Sequence, residues 1–231
     1  MNVVVTGASR GIGFETCKQF LKNGDMVFAI ARSREQLELL SDFKANGELN
    51  IIVSDLSDEK ELLKCVEQIK SNTAAIDVLI NNAGYLVNRS FEETTIQDFQ
   101  QSISVNLQIP YFLTQNLIPL LETALSAQVI NIGSMGGYPG SSKFPGLSVY
   151  SIAKGALATL TECLAEELKE KNIKVNCLAL GAVQTEMLSK AFPGYEAPVN
   201  PTEMASFIFN FAAQSAKFLN GKIIPVSLNT P

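Results

Sequence analysis

At 231 residues, against roughly 150 for a typical domain, the chain is one large or two small domains, and 46% apolar residues suffice for a core without metal or disulfide staples. Its 18 Lys+Arg against 23 Asp+Glu leave a formal charge of -5, so no basic field exists to attract nucleic acid or anionic lipid. Histidine is absent, which removes Ser-His-Asp hydrolysis, Cys-His proteolysis and His-ligated zinc, and leaves acid/base work to Tyr, Lys, Asp, Glu or Cys.

The chain opens on a strand at 2–6 with no charged or apolar leader before it, and nowhere does it reach the ~18 apolar residues of a membrane span. A helix over Ile12–Lys22 follows, then a strand at 26–31, a helix over Arg34–Asn46, a strand at 49–54 and a helix over Asp58–Lys70. The alternation continues with a strand at 77–81, a helix over Ile96–Leu121, a strand at 128–133, and a helix over Val149–Lys171 with Ser148 as candidate N-cap. A strand at 173–179, a helix over Pro201–Phe211 and a strand at 222–226 complete it. Strands such as Val3–Val5 and Val78–Ile80 are apolar at every position, as expected when helices cover both faces of a sheet. The expectation is an α/β, Rossmann-type doubly wound fold with a seven-stranded, mostly parallel sheet, forming a single domain over 1–231. Two irregular stretches, Gly133–Ser148 and Glu186–Asn200, follow strand carboxyl ends, where such sheets bind ligands.

Cys17, Cys65, Cys163 and Cys177 form no C-x-x-C pair and read as small core hydrophobes in a reducing, cytoplasmic compartment. The first strand-helix turn, Thr6-Gly7-Ala8-Ser9-Arg10-Gly11-Ile12-Gly13, has glycines where a pyrophosphate needs close approach to main-chain N–H groups at a helix N-terminus. Without a ligand it is simply a tight turn. Tyr150 and Lys154 stand four apart on one helix face, where an ammonium would favour the phenolate of a group whose ordinary pKa is near 10. A surface Tyr/Lys pair would look the same.

Further matches arrive in order: Asn81-Asn82-Ala83-Gly84 after the fourth strand, Asn106 in the following helix, Ser134 at the end of the fifth strand, then Tyr-x3-Lys. With Thr-Gly-x3-Gly-x-Gly at the start, the whole chain resembles the short-chain dehydrogenase/reductase family in its shorter single-domain branch. The resemblance implies that Tyr150 passes a proton to or from the substrate oxygen, Ser134 hydrogen-bonds that oxygen, and Lys154 binds the nicotinamide ribose. It also implies that Asn106 bends its helix and holds a water joining Lys154 to solvent. Gly7, Ser9, Arg10, Gly11, Ile12 and Gly13 would hold the dinucleotide, with Asn82, Ala83 and Gly84 beside them. Asp55 and Leu56 would touch the adenine, although Asp55 and Ser57 could equally cap the next helix, and Val183 and Thr185 would hold the nicotinamide carboxamide.

An acid at the end of the second strand generally selects NAD; here Ala31 is followed by Arg32, and Arg10 sits in the glycine turn, so the expected cofactor is NADPH (NADP+). The expected activity interconverts a carbonyl and an alcohol, with free ketone, aldehyde and 3-oxoacyl substrates all open. A regulatory NADPH sensor without turnover and an NAD-dependent alcohol dehydrogenase stand as alternatives, while an epimerase or dehydratase of this fold would need a further substrate domain. Departures from the family pattern are Leu180-Gly181 in place of Pro-Gly, a widened interval between Ser134 and Tyr150, a short segment over Glu186–Asn200, and no glycine pair in Ile224–Pro231. The resemblance implies a homodimer or homotetramer paired through the helices carrying Asn106 and Tyr150. Along the latter run Ala153, Ala156, Leu157, Leu160, Leu164 and Leu168, a stripe equally suited to core.

Overall fold

A computed structural model describes residues 1–228. Seven strands, β1 Asn2–Thr6, β2 Met26–Ala31, β3 Glu48–Val53, β4 Val78–Asn81, β5 Ala127–Ser134, β6 Ile173–Leu180 and β7 Ile223–Val226, form one sheet in the order β3-β2-β1-β4-β5-β6-β7. Every pairing is parallel, so the sheet is wholly and not just mostly so. The strand alternation divides the core: Val4, Phe28 and Ile30 enter one apolar cluster, Val3, Val5, Val27 and Ala29 the other. Helices α3 Glu59–Asn72, α5 Ile109–Leu121 and α6 Ser148–Glu167 cover the first face, while α1 Gly11–Lys22 and α8 Pro201–Gln214 cover the second. The order reverses between β1 and β4, which opens a crevice at their carboxyl ends.

Several expected boundaries shift. Helix α2 spans only Arg34–Glu38 and does not run to Asn46. Leu37 is its one buried residue and the buried Leu40 already lies past its end, so no longer apolar face holds a helix beyond Glu38. The chain instead turns back to Gly47, where a Cβ would lie 2.3 Å from the Asp25 carbonyl oxygen. The expected helix over Ile96–Leu121 is broken into α4 Ile96–Ile103, a π-helical turn over Ser104–Gln108, and α5. Ser148 is the first residue of α6; Leu147 precedes it and no side chain caps that helix. Asp58, not Asp55 or Ser57, caps α3 by accepting from the Glu61 N–H at 3.0 Å. A short helix, α7 Glu186–Ala191, lies in a stretch expected to be irregular, capped by Thr185. Cys17, Cys65 and Cys177 are buried, but Cys163 is exposed on α6 and is not a core residue. No helix among the described residues is long and apolar enough to cross a membrane. Of the C-terminal stretch said to lack a glycine pair, 229–231 lie outside the described residues.

Candidate active site

The crevice is a cavity of about 1400 Å3 running across the strand carboxyl ends. Its floor is built where β1 meets β4. The buried Thr6 hydroxyl oxygen accepts the main-chain N–H groups of Asn82 at 3.0 Å and Ala83 at 2.9 Å. In return the Asn82 amide donates to the Thr6 carbonyl at 2.9 Å. Two expected motifs are thereby welded into one surface. Gly7 adopts φ +67°, and a Cβ there would lie 2.8 Å from the Ala83 Cα. At Gly13 a Cβ would lie 2.4 Å from the Gly7 carbonyl oxygen, so only glycine lets α1 pack this closely under the turn. The Arg10 side chain does not cap α1, which suits an incoming phosphate at its first N–H groups.

At the far end of the same cavity, Ser134 closes β5 with its hydroxyl oxygen accepting the Gly136 N–H at 3.1 Å. Lys154 is only 4% exposed, and its ammonium donates to the Ile132 carbonyl at 2.7 Å. One bond thus ties α6 to the strand that carries Ser134. The ammonium lies 5.9 Å from the centre of the Tyr150 ring. Burial pushes Lys154 down to about 8, with the Cys177 thiol opposing weakly. Burial likewise raises the Tyr150 phenol, and the Ser134 hydroxyl pulls the other way.

Of the expected site residues, Gly7, Ser9, Arg10, Gly11, Ile12, Arg32, Asp55, Leu56, Asn82, Ala83, Gly84, Ser134, Tyr150, Lys154, Val183 and Thr185 all line this cavity. Gly13 and Asn106 lie behind it. The fully buried Asn106 amide donates to the carbonyls of Tyr85 at 2.7 Å and Ser102 at 3.0 Å, and its oxygen accepts the Tyr85 N–H at 3.2 Å. It therefore fixes the loop after β4 from beneath. The two guanidinium groups expected at the adenosine end each have an acid partner: Arg10 meets Glu186 at 3.0 Å and Arg32 meets Asp55 at 4.0 Å. Burial opposes ionisation of Asp55, but two hydrogen bonds from Ser57 and the nearby Arg32 outweigh it and hold its carboxyl below the ordinary range. Thr6 and Glu186 are the contributors that sequence reasoning did not place in the site. In sequence Thr6 is one more residue of the glycine turn, and Glu186 is 176 residues from the arginine it pairs with.

An all-parallel α/β fold with a glycine turn at the switch point and a Ser/Tyr/Lys group at the strand ends is the arrangement of a dinucleotide-dependent oxidoreductase. The sequence pattern described as short chain dehydrogenase matches residues 1–196, and the chain belongs to the short-chain dehydrogenase/reductase family. It is 34% identical over 189 residues to the 3-oxoacyl-[acyl-carrier-protein] reductase FabG of Chlamydia pneumoniae, covering 81% of this chain and 75% of that protein. With the oxidoreductase BOA17 of Botryotinia fuckeliana it shares 32% over 182 residues, 79% of this chain but 65% of that relative's length. Its backbone superposes on the RhlG/NADP active-site complex of Pseudomonas aeruginosa with a TM-score of 0.85 at 28% identity, covering 97% and 94% of the two chains. The chain is thus an NAD(P)-dependent oxidoreductase that works between a carbonyl and an alcohol.

Proposed function

We propose that the protein reduces a carbonyl compound with NADPH, Tyr150 giving the proton to the developing alkoxide. The observation that carries this reading is the Lys154–Ile132 bond, which locks Ser134, Tyr150 and Lys154 into one wall of the cavity. The glycine turn fits a dinucleotide: Gly7, Ser9, Arg10, Gly11 and Ile12 line a concave surface, and at Gly11 a Cβ would stand only 3.4 Å from Thr185 across it. Bound coenzyme would supply the hydride. Tyr150, kept protonated by burial, would donate its phenolic proton, and the Lys154 ammonium would stabilise the phenolate left behind. Ser134 would donate a hydrogen bond to the same oxygen as charge builds on it. Asn106 acts by positioning: its side-chain amide is used on Tyr85 and Ser102, so any water it holds in a proton relay must sit on its main-chain carbonyl.

For the coenzyme, Arg10 and Arg32 frame the end of β2, where no carboxylate is available to a ribose 2′-hydroxyl from Ala31 itself. The Arg10–Glu186 pair is exposed on both sides, where solvent screens it, so a 2′-phosphate can displace Glu186. NADH use has one observation in its favour, namely that both arginines already face acids. Comparing kcat/KM for the two coenzymes across ketone, aldehyde and acyl-thioester substrates decides between them. NADPH is expected to lead by about tenfold or more, one charge-assisted contact's worth. A lead for NADH overturns the assignment.

We also propose that two copies pair through α4 and α5, which expose Ile96, Phe99, Tyr111 and Phe112 on their surface. On α6, Ala153 and Leu157 are core, as is Leu168 just past its end, while Ala156, Leu160 and Leu164 stay half-buried. Light scattering at micromolar concentration tests the pairing; a monomer there removes it.

A further inference from the structure

Behind Ser134 and Lys154, the seam between β5 and α6 holds buried polar side chains that the reaction leaves unused. The Asn81 amide donates to the Asn131 side-chain oxygen, the Asn131 amide to the Thr161 hydroxyl, and that hydroxyl to the Leu157 carbonyl, each at 2.9 Å. Cys177 of β6, paired with Asn131 in the sheet, ends this string. Its thiol meets the Thr161 hydroxyl and the Gly133 main chain, and the Lys154 ammonium acts on it. Burial pushes the thiol up to about 11, so it is neutral at ordinary pH. Its room comes from Gly133, where a Cβ would lie 2.5 Å from the sulfur. The next atoms around that Cβ, the Leu178 carbonyl oxygen and the Ala179 Cα, stand 3.3 and 3.6 Å away. Gly133 sits inside β5 with no positive φ, so close approach of the sulfur is what its missing side chain allows. It lies between Ile132, whose carbonyl accepts from Lys154, and Ser134.

We propose that Cys177 is a positioning residue for Lys154 and Ser134: its sulfur, seated in the notch that Gly133 leaves, fixes the spacing of β5 and α6 and keeps water from the ammonium. Strand β5 carries Ser134 and the Ile132 carbonyl, helix α6 carries Tyr150 and Lys154, and the thiol meets one residue of each, Gly133 and Thr161. A void or an added methyl at this contact therefore disturbs the catalytic group without altering any member of it. Cys177 faces the ammonium from β6 and Tyr150 from its own helix, while β5 and Met135–Gly137 bring no titratable side chain. The inference rests on the reductase reading.

The test follows kcat and kcat/KM for NADPH against pH, on a ketone the wild type accepts, in wild type, Cys177→Ala, Gly133→Ala and the double variant. In the wild type kcat/KM should fall above about pH 8 as Lys154 loses its proton. Cys177→Ala opens a space that water enters, so the fall should move up by about one pH unit, toward the ordinary 10.5. Gly133→Ala drives a methyl onto a sulfur already held against Thr161, and kcat should drop by about tenfold or more. The double variant exchanges sulfur for methyl. It should return kcat to within about threefold of wild type, and the alkaline fall to about pH 8. If Gly133→Ala alone yields no soluble protein, an active double variant supports the proposal equally. A double variant no better than Gly133→Ala, or an alkaline fall left at the wild-type pH by Cys177→Ala, overturns it. A wild type inert on ketone, aldehyde and acyl-thioester substrates with either coenzyme would instead sink the reductase reading.

Discussion

Thr6 shows how a single hydroxyl can hold a coenzyme floor together. Its oxygen is the acceptor for two main-chain N–H groups; with valine the Asn82 N–H keeps the Ile80 carbonyl at 3.0 Å, but the Ala83 N–H loses its acceptor. An orphaned donor of this kind costs about 1–3 kcal/mol, so Thr6→Val should lower stability by roughly that amount, read as a shift in the urea midpoint, whereas Thr6→Ser should recover most of it. Lys154 makes a prediction in pH. Folding lowers it from 10.5 to about 8, so the free enzyme loses the ammonium above about pH 8 and kcat/KM for the coenzyme should fall there. Between those two values the unfolded chain binds more protons at this site than the folded one. Stability should therefore rise with pH across this window relative to Lys154→Met, measured as the difference between the two urea curves. A difference that falls would reverse the assigned burial effect.

Among the elements, the break between α4 and α5 has an identifiable cause. Pro110 has no N–H and cannot donate to the Asn106 carbonyl four residues earlier, as a regular helix requires, while the Ile109 N–H reaches back five residues to the Ser104 carbonyl. The bulge turns the Asn106 amide onto both main-chain polar groups of Tyr85. Asn106→Ala should therefore loosen the loop after β4, with kcat reduced at least tenfold and KM for the coenzyme rising only modestly, because the residue supports the pocket from behind. A variant with unchanged kcat would show that the bulge is structural only. These elements also show what the sequence could reveal. The glycine turn, the Tyr150/Lys154 spacing and the strand periodicity are local patterns, and all stand in the structure. The early end of α2, the helix α7 and the ion pair of Arg10 with Glu186 depend on contacts across the chain, which local propensity does not encode.

For the molecule as a whole, two apolar clusters anchor a parallel sheet whose reversal between β1 and β4 opens one continuous crevice. Thr6 and Asn82 set one end, Lys154 and Ile132 the other, and the same sheet holds both ends in register. The most direct measurement compares Tyr150→Phe with wild type in two assays: titration of NADPH by its fluorescence, and NADPH oxidation on an accepted ketone. Coenzyme affinity should stay within about threefold while kcat falls by about a hundredfold or more, the usual share of a positioned general acid. Wild-type turnover by this variant would contradict the account, because the proton would then come from some other group.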